Sequence, residues 1–277
     1  MAAPLTFTLD LEDHRADRTK PGRYPLMTRK ILDFLDEIGV RGTVFTVGEV
    51  AAEEPDLVRE VRRRGHEIAF HSYYHRPLTQ ETRARFEEET RAGKALLEDL
   101  TGGPVSGFRA PVFSLTHKSL WAVDVLQELG FAYSSSVLPA RHPLYGLRGA
   151  PNTPFRWSNG LIEIPVPVAR IGPWTLPYLG GIYLRYLPQG TIARLRDLSS
   201  GKVLWTYCHP YDFDTEEPFA RIRDTAVWAS ILLWFNRRGS FAKMRTLLAQ
   251  DVAPPFAEQI AAGGFAQAPT LDVSAFG

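Results

Sequence analysis

The sequence predicts an α/β protein built on a parallel sheet, either open or closed into a barrel. Three observations carry that reading. Short runs rich in β-branched and aromatic residues recur along the first half of the chain, and amphipathic stretches separate them. Each separation is long enough for a helical crossover, which parallel pairing requires. Ionisable residues fall just beyond the C-terminal ends of four of the runs, the edge where active sites of such sheets gather.

The elements follow in order. "LTFTLDL" (5–11) reads as a strand ending in acids. "YPLMTRKILDFLDEIGV" carries Leu26, Ile31, Leu32, Leu35 and Ile38 at helical spacing, and Gly39 stops it. "GTVFTVG" is the second strand. "PDLVREVRRRG" is a helix with Pro55 in its first turn and Gly65 at its end. "EIAF" is the third strand, and a long charged helix is expected from Thr79 to about Leu100. "VSGFRAP", "KSLWAVDVLQELG" and "FAYSSSV" continue the alternation. From about Pro139 the chain turns dense in Pro, Gly and aromatics, which predicts a long irregular insertion. "GLIEIPVPVARI", "GGIYLRYLP", "KVLWTYCHPYDFD" and a helical 241–250 bring regular structure back. One domain over residues 1–277 is expected, with a core at about 5–215 and an extension at 216–277 loosely held beyond Ala253.

The balance of 32 basic and 31 acidic residues gives no electrostatic reason to expect nucleic acid or an anionic membrane as partner. Cys208 is the single cysteine, so no intrachain disulfide forms. No basic, apolar leader precedes the first strand, and a cytoplasmic location is expected. The longest apolar run, "AVWASILLWF" (226–235), is too short to span a bilayer and is expected to be a buried strand or helix rather than an interfacial contact.

Asp10, Glu12 and Asp13 end the first strand, His71 and His75 follow the third, Arg109 the fourth, and His209 the strand in "VLWTYC". Two histidines four apart lie one turn from each other if helical, so both can face one ion. A carboxylate with two imidazoles leaves open positions on a metal. With zinc that arrangement acidifies water and polarises a carbonyl, and with iron(II) it supports oxygenase chemistry. A second carboxylate and a third histidine favour hydrolysis, which needs a base and an acid.

"TFTLDLED", "GTVFTVGEVAAEEPDLVREVRRRGHEIAFHSYYH", "FRAPVFSL" and "CHPYDFD" resemble the ordered motifs of the polysaccharide deacetylases, carbohydrate esterase family 4, over about residues 5–215. The likeness is strongest to a subgroup associated with exopolysaccharide and surface-glycan synthesis. It implies an irregular (β/α)7-type barrel and a metal-dependent N-deacetylase of an N-acetylated sugar or glycan. The implied cofactor is one divalent ion, most readily zinc. The resemblance assigns Asp10 as general base, Arg109 as its partner, and His71 and His75 as metal ligands. Asp13 is the preferred third ligand, with Glu12 as its rival. Ser72 would orient the histidine loop, the Val112 N–H would face the oxyanion, and His209 would be the acid. Where the family has an aspartate beside that histidine, this chain has Ser134, so Asp212 or Asp214 is expected to take its place. Gly180 and Gly181 resemble a substrate-loop pair, and His142 falls where a cleft could form. The alternatives are a sugar-lipid deformylase, a cyclic-amide hydrolase, and a non-catalytic glycan-binding protein.

Overall fold

The structure is a computed structural model that describes residues 3–15, 18–140, 145–199, 202–221 and 227–276. His142 lies outside them. In chain order the elements begin with β1 (Leu5–Leu11), α1 (Tyr24–Glu37), β2 (Gly42–Thr46), α2 (Gly48–Glu53), α3 (Pro55–Arg63) and β3 (Glu67–Phe70). They continue with α4 (Arg83–Thr101), β4 (Gly107–Phe108), α5 (Trp121–Glu128) and β5 (Tyr133–Ser134). Next come β6 (Phe155–Trp157), β7 (Ile162–Glu163), β8 (Ala169–Ile171), β9 (Trp174–Leu176), α6 (Gly181–Tyr186) and α7 (Gln189–Asp197). The last elements are β10 (Leu204–Trp205), α8 (Val227–Trp234), α9 (Ser240–Leu248), α10 (Phe256–Ala261) and β11 (Thr270–Leu271).

Nine strands form one sheet in the order β10-β1-β2-β3-β4-β5-β7-β6-β11, with β8 and β9 as a separate hairpin. All neighbours in the large sheet run parallel except β6 and β7. The sheet curls into a half-barrel, the α/β barrel class expected. β1 shows why. Every residue of it is buried. Leu5, Phe7, Leu9 and Leu11 alternate with Thr6, Thr8 and Asp10, so one face is apolar and the other is lined with small polar groups. Arg109 donates to Thr8 Oγ1 at 2.9 Å, which puts the polar face inside the curl.

Three expectations change. The long helix starts at Arg83, because Leu78–Gln80 is a 3₁₀ turn and Thr82 caps the helix by accepting from the Arg85 N–H. Leu26 sits half exposed on α1, since Met27, Ile31, Leu32 and Leu35 already fill the buried face. The C-terminal segment is not loosely held: β11 pairs with β6, and Phe256, Phe265 and Phe276 are buried. Glu67 explains part of that anchoring. Its buried carboxylate accepts from Thr43 Oγ1 (2.7 Å), Tyr133 Oη (2.8 Å) and the Ala257 N–H (3.0 Å), so α10 satisfies a charge that β3 brings inside.

The glycine pair has a packing reason. A Cβ on Gly180 would lie 1.9 Å from the Tyr207 carbonyl oxygen, and the Gly181 N–H donates to that oxygen at 2.9 Å with φ +50. Only a bare backbone approaches that closely.

Candidate active site

The C-terminal ends of β1, β3, β4 and the strand that continues β10 converge on one cluster of ionisable groups. Asp10 ends the polar face of β1, and its N–H donates to the Cys208 carbonyl at 2.8 Å, which fixes the strand carrying His209 beside it. Arg109 is fully buried and donates from Nη1 to Asp10 Oδ1 at 2.5 Å. Its guanidinium carbon lies 3.7 Å from the Phe45 ring centroid and 4.2 Å from that of Trp205. The acid is thereby held in one rotamer by a cation that is itself clamped by aromatic rings.

Glu12, not Asp13, is the carboxylate that stands with the two histidines. One ligand atom each from Glu12, His71 and His75 lies within 4.8 Å of the others. Glu12 Oε2 is 2.5 Å from His75 Nε2. Asp13 is turned away and accepts from Arg15 Nε at 2.6 Å. The physical reason is the period of an extended chain: residues 10 and 12 share a face, and residue 13 points to the other.

The two histidines do not lie on a helix. His71 leaves β3, with its N–H donating to the Thr46 carbonyl at 2.9 Å, and its Nδ1 lies 2.8 Å from the Arg109 carbonyl oxygen. That contact turns Nε2 toward Glu12 and fixes the tautomer. Left-handed turns at Ser72 (φ 61) and His75 (φ 53) then fold the loop back until the rings are 5.0 Å apart. The Ser72 hydroxyl is buried without a partner, and it is the Ser72 carbonyl that ties the loop down by accepting from the Gly48 N–H at 3.0 Å.

Val112 and Phe113 also adopt left-handed conformations, with φ 50 and 53. Four of the five described non-glycine residues with positive φ therefore sit around this site. Such a conformation costs a β-branched residue about 1–2 kcal/mol, and strain of this kind collects at functional positions. In the turn over Pro111–Phe113 the Phe113 and Ser114 N–H groups bond back to the Ala110 and Pro111 carbonyls. The Val112 N–H takes no part in those bonds.

His209 Nε2 is 3.9 Å from Asp10 Oδ2 and 3.8 Å from Glu12 Oε1. Its partner is Asp212. The Asp212 Oδ2 atom lies 2.8 Å from His209 Nδ1 and accepts the His209 N–H at 2.9 Å. Arg185, on α6, places Nε 3.1 Å from Asp212 Oδ1. Asp214 is committed elsewhere, accepting from Arg23 Nε at 2.6 Å. Ser134 is buried and its hydroxyl meets Ser136 Oγ at 2.8 Å. The charge beside His209 thus comes from the same 3₁₀ turn, Pro210–Phe213, that follows the histidine.

These neighbours set the protonation states. Burial works against the imidazolium of His209, but Glu12, Asp212 and Asp10 overcome it and raise the pKa to about 9. Burial lowers His71 to about 4. Burial would raise Glu12, yet His75, His209 and His71 around it hold the carboxyl well below the ordinary range. Glu12 Oε2 is buried and meets His75 Nε2, and the carboxylate in turn favours the charged form of that imidazole against the cost of burial. A carboxylate, two neutral-capable imidazoles and a further unligated acid suit a divalent cation with open positions. A cavity of about 500 Å³ lies elsewhere, among Phe131, Ile162, Ile260 and Phe265, and no acidic or histidine side chain lines it.

Sequence reasoning assigned no role to Arg185 or Tyr211. The Tyr211 ring stacks on His209 with centroids 4.7 Å apart and planes 8° apart, and His14 packs on its other neighbour side at 4.0 Å. No sequence signal marks Arg185, because its partner lies beyond α7 and β10 in the chain.

A curled parallel sheet with this cluster beyond its C-terminal edge is the barrel of the carbohydrate esterase family 4 deacetylases. Residues 17–134 match the model of the polysaccharide deacetylases, and residues 135–257 match a domain of unknown function, DUF3473. Residues 17–134 thus carry a polysaccharide deacetylase domain. It is 32% identical over 106 residues to a chitooligosaccharide deacetylase of Sinorhizobium fredii, covering 38% of this chain and 46% of that one. The chain spans less than half the length of the curated relatives it matches. A crystal structure of a candidate polysaccharide deacetylase from Mycobacterium smegmatis superposes with a TM-score of 0.63 at 22% identity, over 97% of this chain and 93% of that one. The PuuE allantoinase gives 0.60 at 16% identity, over 96% and 91%. At these identities the likeness is one of fold.

Proposed function

We propose that this chain is a metal-dependent hydrolase that removes the acetyl group from an N-acetylated sugar or glycan precursor. The observation that carries the reading is the pairing of two carboxylates beside the same imidazoles: Glu12 groups with His71 and His75, while Asp10 is bound through Oδ1 to Arg109 and has its Oδ2 3.9 Å from His71 Nε2. Glu12, His71 and His75 would hold the ion, most readily zinc, which when bound polarises the amide carbonyl and makes a water molecule more acidic. Asp10 takes the proton of the attacking water, because Arg109 fixes its free oxygen toward the cleft. The Val112 N–H, presented by its strained turn, donates to the oxygen of the tetrahedral adduct. His209 delivers its Nε2 proton to the leaving amine nitrogen, and Asp212 stabilises the imidazolium until that transfer.

The test is release of acetate from chito-oligosaccharides by the metal-loaded chain, run beside formate release from an N-formyl amino sugar and ring opening of allantoin. Acetate release that disappears on chelation and returns with zinc is the expected result. Exclusive turnover of the formyl or cyclic substrate, or saturable sugar binding with no turnover, would replace this reading by one of its alternatives.

A further inference from the structure

Six of the eleven large apolar side chains exposed among the described residues belong to one surface patch: Tyr186, Phe219, Val227, Trp228, Ile231 and Phe235. The apolar run was expected to be buried. It forms α8 instead, with Trp228 70% exposed, and Trp228, Ile231 and Phe235 recur at helical spacing along one side. Soluble surfaces scatter such residues singly, and gathering them marks a contact face. The patch is one connected surface, for the Tyr186 hydroxyl donates to the Leu232 carbonyl at 3.2 Å and Phe219 meets Trp234 edge-on at 5.7 Å.

We propose that this face docks the protein on a membrane surface, with α8 lying in the headgroup layer and its aromatic side chains reaching the acyl boundary. The exposed parts of the six side chains total roughly 600 Å² at typical aromatic areas, the upper end of the apolar patches seen on ordinary monomers. Two features select a bilayer over a protein. An eight-residue helix is only about 12 Å long, enough to lie in an interface and far too short to cross it. Among the described residues no helix crosses a membrane. Exposed Arg221 and Arg238 bracket α8 in sequence and complement anionic headgroups, while Trp and Tyr are the residues that settle at that depth. A net charge near zero is no obstacle, since the attraction is local and mainly apolar.

The patch reaches the candidate acid through few atoms. Arg185 Nη1 donates to the Leu233 and Phe235 carbonyls at 3.0 and 2.9 Å, closing the C-terminus of α8, and the same guanidinium faces Asp212.

The experiment is co-sedimentation of the whole chain with vesicles of phosphatidylethanolamine and phosphatidylglycerol, and with phosphatidylcholine alone, measured without turnover. The wild type is expected to pellet with both and more strongly with the anionic mixture. Trp228→Glu with Ile231→Glu should lower the partition coefficient at least about tenfold, with an unchanged or higher melting temperature. Arg221→Glu with Arg238→Glu should weaken only the anionic preference. Failure of the wild type to pellet at saturating lipid, or equal partitioning of the Trp228/Ile231 variant, overturns the proposal. A concentration-dependent dimer abolished by the same pair of substitutions also overturns it, assigning the face to self-association. None of these outcomes depends on whether the cleft hydrolyses an amide.

Discussion

Substituting Glu12 by Gln is expected to abolish binding of one zinc equivalent, while Asp13→Asn leaves it intact, measured by calorimetric titration and metal content of the purified chains. Removing one of three protein ligands costs two orders of magnitude or more in affinity, roughly 3 kcal/mol, whereas Asp13 contributes only an ion pair with Arg15. The same residues show what could be read from sequence. The two histidines, Asp10, Arg109 and His209 are marked by their position just after strands. The choice between Glu12 and Asp13 is also legible, because it follows from continuing the alternation of Thr6, Thr8 and Asp10 by one more step. The histidine loop is not: its closure depends on two left-handed residues that carry no glycine to announce them.

Asp212→Asn tests the acid. It keeps the size of the side chain and removes the charge facing His209 Nδ1, so kcat for an N-acetyl amide should fall about 10–100-fold. Hydrolysis of 4-nitrophenyl acetate, whose leaving group departs without a proton, should hardly change. Equal loss on both substrates would mean that Asp212 acts on the fold rather than on the acid. His66 offers a separate check on stability. It is buried at the far end of β3, where its Nδ1 accepts the Gly42 N–H at 3.1 Å, and burial lowers its pKa to about 4. The unfolded chain then binds more protons between about pH 6.5 and 4. Stability falls as pH drops through that window, by up to about 3 kcal/mol, and His66→Asn should flatten the dependence in urea titrations.

At the scale of elements, the Pro111–Phe113 turn and α8 depart most from what patterning alone suggests. Val112 is half exposed, so its side chain packs little, yet it holds φ 50. Val112→Gly should keep activity, since only the N–H acts, and should stabilise the chain by about 1 kcal/mol as strain is released. Thermal melts beside kcat measurements decide it, and a large fall in kcat at unchanged stability would give the side chain a role in binding. For α8 the composition reads correctly as apolar and wrongly as buried. Periodicity cannot separate a core helix from a contact helix when the one polar position, Ser230, is itself buried and no polar face marks the outside.

For the molecule as a whole, the alternation of strands and helices up to Ser134 is legible, as are the segments that hold β7 and β10, whereas β6 and β11 are not, since three and two residues leave no period to detect. The two family matches meet between residues 134 and 135, but the sheet ignores that boundary: β10 lies against β1, and β7 against β5. Ending the chain after Ala253 removes Phe256, Phe265, β11 and the Ala257 donor of Glu67. The shortened protein should lose cooperative unfolding by circular dichroism, because a buried carboxylate and part of one apolar cluster are left open.

The seating of β1 between β2 and β10 also bears on synthesis. Thr8 and Thr206 are 198 positions apart, yet each bonds the other, with the Thr8 N–H donating to Thr206 Oγ1 at 3.0 Å. A ribosome extends a chain by about 5–20 residues per second, so the opening strand waits on the order of ten seconds or more for its neighbour to emerge. During that interval the β10 side of β1 stands unpaired and His209 has not yet been made. The ionisable cluster beyond the sheet is therefore completed only as the final quarter of the chain is synthesised.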